Sequence, residues 1–248
     1  MNPYLSMCDD FGLFVHLNTK TELTKNRESI LHFFESLRKA FPEMTDFESR
    51  ENGEHVLEED RDQGSHRWVA LEPRRFVSGM MNPEELETAD SFQERVLETA
   101  PFHLDLSPLD CDALDVVFAF DFLYAGNHDE VVAEALGIST SLEPLINLPG
   151  SRILHYEPQL MLALDEACRL QCRLNIETRT NAYQVRTSQY PESPISVYLT
   201  IRQYWGRQGA KSYAESYATQ RKLLQEMAEQ HIIPTVIKPL GETIANRQ

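Results

Sequence analysis

The chain has 248 residues and a mass of 28.6 kDa, which fits one large domain or two of about 100–125 residues each. Its 42% hydrophobic and 25% charged content can build a core, which excludes a wholly disordered chain, a collagen-like repeat and a disulfide miniprotein. A formal charge of −16 argues against general affinity for nucleic acid or anionic lipid, because both need cationic surface.

The charge is uneven. Residues 1–124 hold 26 Asp and Glu against 11 Lys and Arg, net −15, whereas residues 125–248 hold 13 against 12, net −1. Much of the excess sits in Glu48, Glu51, Glu54, Glu58, Glu59, Asp60 and Asp62, read as a solvated loop or hairpin tip. A docking surface for a basic partner is the sharper alternative. The stretch from Met1 to Phe14 has no basic start and no apolar run of signal-peptide length. The longest apolar tracts, Val116–Phe120 and Leu160–Leu164, fall far short of the ~20 residues that span a bilayer. Cys168 and Cys172 are spaced to share a helix face, but there is no C-x-x-C and no nearby histidine, so the cysteines read as small buried hydrophobes. Together these features predict a cytoplasmic protein with no membrane association, no metal and no cofactor.

In chain order, Phe11–Leu17 reads as a strand and residues 25–41 as an amphipathic helix, with Ile30, Phe33, Phe34 and Leu37 at helical spacing and Pro42 after it. Residues 44–50 read as a short strand, the acidic loop follows, and His66–Met80 reads as one longer strand. Asn82-Pro83-Glu84-Glu85 predicts a helix start with Asn82 as cap, and Pro101 its end. Segment 101–114, with two prolines and three aspartates, is the best domain boundary.

The order then repeats. Leu114–Tyr124 reads as a strand and 128–136 as a helix stopped by Gly137. Arg152–Tyr156 reads as a short strand and 158–167 as an inserted short helix. Two long strands follow, 171–186 and 194–205. The last helix opens on the capping box Ser212-Tyr213-Ala214-Glu215 and stops at Pro234, with Thr235–Ile237 as a short edge strand. The chain therefore reads as α+β, with β-α-β-β-α written twice, over an acidic half 1–105 and a second half 106–248. This order resembles the ferredoxin-like family, in which two helices cover one face of an antiparallel sheet. The resemblance implies an internal duplication, with the two sheets either continuous side by side or packed face to face.

The most informative pattern is in the second half. Leu174, Ile176, Thr178 and Thr180 point one way, and Arg173, Asn175, Glu177, Arg179 and Asn181 the other. At Ala182–Tyr183 the phase slips, which a β-bulge would reconcile. The partner strand places Ile195, Val197, Leu199 and Ile201 inward and Ser196, Tyr198, Thr200, Arg202 and Tyr204 outward. As a hairpin the two put Arg173, Glu177, Arg179, Tyr198, Arg202 and Tyr204 on one sheet face. A polar outer face of this kind is routine in one-sided sheets. The competing reading is a binding face, since arginine forks onto carboxylate or phosphate and tyrosine adds flat contact area. Lysine is absent between Lys39 and Lys211 while arginine is frequent, which fits that reading.

Catalytic motifs are sparse. Gly126-Asn127-His128-Asp129 resembles the Gly-Asn-His-Asp string of the calcineurin-like metallophosphoesterases, which would make Asn127 a metal ligand and His128 an aid at the phosphoryl group. The family's series also has an Asp-x-His and a Gly-Asp-x-x-Asp upstream and histidines downstream, and residues 1–126 contain no Asp-x-His and no Gly-Asp. Asn127 reads instead as a helix cap with Glu130 as its reciprocal partner. No Gly-x-Ser-x-Gly, Gly-x-Gly-x-x-Gly or Gly-Lys-Ser/Thr occurs. The expected function is binding of a small anion, a peptide or a protein partner on the arginine and tyrosine face. The alternatives are an enzyme with its site in the cleft between the halves, drawing on His103, His155, Glu177 and Arg179, and a homo-oligomer paired through sheet edges or faces.

Overall fold

Alternation governs the first strand, β1 (Asp10–Thr19): Phe11, Leu13, Val15 and Leu17 are fully buried, while Phe14 and His16 are half-buried. The computed structural model describes residues 1–50, 53–206, 209–210 and 212–247 and places β1 within a single nine-stranded antiparallel sheet. The other strands are β2 (Asp46–Ser49), β3 (His55–Glu58), β4 (His66–Glu72), β5 (Arg75–Met81), β6 (Cys111–Tyr124), β7 (Gln159–Ala163), β8 (Leu170–Glu177) and β9 (Ser193–Tyr204). Their spatial order is β2-β3-β4-β5-β1-β6-β9-β8-β7. The protein is thus mixed α+β, and β1 and β6 join its two runs of strands into one continuous sheet. Expected residues Glu51 and Lys211 lie outside the described residues.

The helices are α1 (Arg27–Ala40), α2 (Leu86–His103), α3 (His128–Leu136), α4 (Glu143–Ile146), α5 (Ala182–Thr187), α6 (Tyr213–Met227) and α7 (Lys238–Arg247). Asn26 caps α1 by accepting from the Glu28 amide at 2.9 Å, and the helix buries Ile30, Phe33, Phe34 and Leu37. Each such fully buried side chain contributes roughly 1.5–3 kcal/mol. Two polar ties fix helices to the sheet. Gln93 of α2 donates to the Leu13 carbonyl at 3.2 Å and accepts from the Ser78 hydroxyl, all of it buried. Arg221 of α6 lies 4.8 Å over the Phe118 ring and donates to Asp90 of α2 at 3.0 Å.

Several local expectations give way. His66–Met80 is not one strand but the hairpin β4–β5, closed where Glu72 pairs with Arg75 across Pro73-Arg74. Asn82 does not cap α2. Glu85 stands at that position, and Asn82, at φ 47°, accepts from the Phe11 amide at 2.8 Å and donates to Asp10 at 2.6 Å, tying the end of β5 to β1. Helix α2 runs on past Pro101 to His103. Residues 152–156 form no strand.

The expected helix over 158–167 contains strand β7, because Leu160-Met161-Leu162 is an apolar run that fits either period until β8 supplies a partner. The phase slip at 182–183 is no bulge. Strand β8 ends at Glu177, and Asn181 opens α5 with a full capping box, its side chain accepting from the Gln184 amide at 3.1 Å while Gln184 accepts from the Asn181 amide at 2.9 Å. Nor does Pro234 end the last helix or start an edge strand. Residues Ala228–Ile237 continue it as a widened, π-type turn into α7. The wider turn accommodates a residue that lacks an amide hydrogen and crowds the preceding carbonyl.

Candidate functional site

The face of the sheet opposite the buried Leu13, Phe118 and Leu199 is assembled in transverse rows by strand register. One row runs Phe14, Val117, Thr200, Arg173, Met161 across β1, β6, β9, β8 and β7. The next runs His16, Asp115, Arg202, Gln171. Tyr198 faces Asn175 in a third, and Glu177 lies beyond it on β8. All but Asn175 line a cavity of about 210 Å³. Four of the six expected side chains, Arg173, Glu177, Tyr198 and Arg202, meet there. Tyr204 sits just outside, its hydroxyl accepting from Arg202 at 3.1 Å. Arg179 lies elsewhere, in the segment after β8, and donates to the Pro194 carbonyl.

The two arginines of the cavity differ. Arg202 grips Asp115 with two hydrogen bonds, Nε to Oδ1 at 2.5 Å and Nη2 to Oδ2 at 2.6 Å. Those bonds hold its guanidinium above the ordinary arginine range, against the effect of burial. Asn18 donates to the same carboxylate at 3.2 Å. Arg202 is therefore neutralised inside the protein. Arg173 is exposed, and among the described residues its side chain makes no hydrogen bond or ion pair. Among the described residues, the Glu177 carboxylate accepts only from Asn175, at 3.1 Å. The imidazole of His16, 4.0 Å from Asp115, is pushed down to about 4, first by burial and then by Arg75 and Arg202, with Asp115 opposing.

Sequence reasoning missed the floor of this cavity. Phe14, His16, Asp115 and Val117 come from β1 and β6 at the centre of the sheet. The available signal was the second phase of β1 and β6, where residues between the core positions share the face of Arg173.

A second cavity of about 430 Å³ lies on the other side of His16, over β3, β4 and β5. Its arginines are already paired: Arg50 with Glu48 and Glu54 at 3.0 Å, Arg61 with Glu58 at 2.7 Å and Arg75 with Glu72 at 2.7 Å. The acidic run is thus the hairpin β2–β3 and the turn after it, laced by local ion pairs.

The Gly126–Asp129 string is absorbed by structure. Asn127 caps α3, accepting from the amides of Asp129 and Glu130 at 3.2 and 3.4 Å. Buried Asp129 accepts from the Tyr156 amide at 2.7 Å and the Thr178 hydroxyl at 2.9 Å. His128 accepts from the Arg179 amide at 3.2 Å through Nδ1, which places its proton on Nε2, 3.1 Å from the Tyr124 carbonyl. Burial pushes its pKa down. Exposed His155 stands 3.7 Å from Glu157 and 3.9 Å from Asp129, and His103 ends α2 beside the Phe33 ring. Neither lines the cavity of Glu177. Cys172 is buried in β8, whereas Cys168 is exposed in the preceding turn, so they share no helix. Among the described residues no group of three or more His, Cys, Asp or Glu is arranged to hold a metal ion, and no helix is long and apolar enough to cross a membrane. No protein-family model matches the chain, and no curated protein sequence matches it.

Proposed function

We propose that this protein binds a small ligand with an anionic end, a short peptide being the best fit, in the cavity floored by β1, β6, β9 and β8. The observation that carries this reading is the contrast between the two arginines. Arg202 is saturated by Asp115, while the Arg173 guanidinium, without a partner among the described residues, lines the same cavity. Arg173 takes the ligand's carboxylate or phosphate, with Thr200 and Tyr198 beside it as hydroxyl donors. Glu177 is four residues further along β8, roughly 13 Å in backbone distance. A ligand that meets both is longer than an inorganic ion and carries a cation or donor at its far end. A small anion alone, or the tip of a protein partner, would use only the Arg173 end.

The finer architecture belongs to the same reading. Two ferredoxin-like halves, 1–105 and 106–248, related by duplication, are supported by the way each half places its first strand beside its last: β1 by β5, and β6 by β9. In each half that last strand is followed by a long helix, α2 or α6. Each also departs from the simple pattern by carrying extra strands between its helices. Four free cysteines fit a reducing, cytoplasmic setting. The enzyme alternative has less support, because His103, His155 and Arg179 lie away from Glu177.

The test is a thermal-shift screen with amino acids, short peptides, small carboxylates and phosphates. At least one of these is expected to raise the melting temperature of the natural protein and to leave Arg173→Ala unmoved. An equal shift in the variant, or no shift with any member of the set, overturns the proposal.

A further inference from the structure

The two edges of the sheet are unlike each other. At one edge β2 reads Asp46-Phe47-Glu48-Ser49 and lies within residues 1–124, whose net charge is −15. At the other, β7 reads Gln159-Leu160-Met161-Leu162-Ala163, with every residue exposed and not one charge. Leu160, Met161 and Leu162 are 54%, 64% and 44% exposed. Leu160 and Leu162 lie on the face of Leu174 and Cys172, and Met161 on that of Arg173, so both faces of the strand are apolar. Natural sheets blunt their edges with lysine, proline, bulges or inward charges, and β7 has none of these.

We infer that β7 is the contact through which two copies of this chain associate, antiparallel and about a two-fold axis at Met161. The strand is self-complementary in that register. Gln159 stands opposite Ala163 of the second copy, Leu160 opposite Leu162, and Met161 opposite Met161, so leucines meet leucines on one face and methionines on the other. This is the isologous arrangement that closes a dimer and leaves no further β7 edge to grow from. Charge selects the same edge. Two chains of net charge −16 repel, and pairing through β7 joins segments within residues 125–248, net −1, while the acidic ends stay at the far extremes of an enlarged sheet. The segment leading into β7 also exposes Leu142, Leu145, Leu148 and Leu154. Because Met161 lines the Arg173 cavity, the second copy's Met161 would extend that cavity's rim.

The experiment combines solution mass with a register-specific cross-link. Light scattering across a wide dilution series is expected to give twice 28.6 kDa for the natural chain. Leu162→Lys is expected to give the single-chain mass with an unchanged circular dichroism spectrum. On a Cys168→Ser background, Met161→Cys is expected to oxidise to a covalent dimer, whereas Gln159→Cys does not, since it faces Ala163. A single-chain mass at every concentration overturns the inference. So does a dimer that forms no Met161→Cys cross-link, including the case where Leu162→Lys fails to fold.

Discussion

Arg202 on β9 holds both oxygens of Asp115 on β6, directly across the strand pair, and only 3% of Asp115 is exposed. Removing the arginine strands a buried carboxylate. Fully buried pairs lose about 3–5 kcal/mol when one partner is removed, but Arg202 is about one third exposed, so Arg202→Met is expected to cost about 2 kcal/mol. Adding Asp115→Leu should recover most of that loss in urea unfolding. Arg173→Ala, with no partner to strand, should stay within about 0.5 kcal/mol of the natural protein. A large loss on Arg173→Ala would mean that this residue holds the fold instead of awaiting a ligand.

His16 makes stability fall with acid. Its folded pKa is pushed down to about 4, while the unfolded imidazole titrates near 6.5. Between those values the unfolded chain binds the extra proton, so the contribution is complete above pH 6.5 and is lost as the pH drops towards 4. The loss amounts to at most about 3 kcal/mol. Buried His128, also shifted down, adds a loss of the same sign. His16→Gln should flatten the curve of unfolding free energy against pH in that window. Parallel curves for variant and natural protein would contradict the assignment.

Gly79 on β5 leaves room for the rings beside it. A Cβ there would stand 2.7 Å from Trp68 and 2.7 Å from Phe14, which themselves pack with centroids 5.9 Å apart. Gly79→Ala is expected to displace Trp68, to shift the tryptophan emission and to cost about 1–3 kcal/mol. An unchanged emission spectrum would show that the indole does not sit against this glycine.

Thr178 links the end of β8 to Asp129 and Glu157 through its hydroxyl, at 2.9 and 3.1 Å. Thr178→Val leaves buried Asp129 short of a donor, with an expected loss of about 1–3 kcal/mol. Segment 138–158 should be nicked faster by trypsin at Arg152, and peptide mapping checks this directly.

What was readable in the sequence followed the physics of each signal. Strong periodicity with a local cap held: α1 with Ile30, Phe33, Phe34 and Leu37, and α3 with Asn127 and Gly137. The alternation read over 171–186 and 194–205 put Arg173, Glu177, Tyr198 and Arg202 on the one face that β8 and β9 present, because a strand's period of two is a local property, but carried Arg179 with them although β8 ends at Glu177. Readings failed where the answer lay in a distant partner. Leu160-Met161-Leu162 became a strand only by pairing with β8, and Asn82 gave up its cap for Asp10 and Phe11, some seventy residues earlier. That Arg202 is neutralised was equally hidden, since Asp115 lies 87 residues away in sequence.

The seam between β1 and β6 has a consequence for biosynthesis. As the chain leaves the ribosome, Phe11 to Leu17 can pair with β5 on one side, but the other side waits until residues 111–124 emerge. During that interval the nascent first half carries a bare hydrophobic ribbon. A fragment ending at residue 105 should therefore precipitate when expressed alone and dissolve when the remainder is supplied in trans.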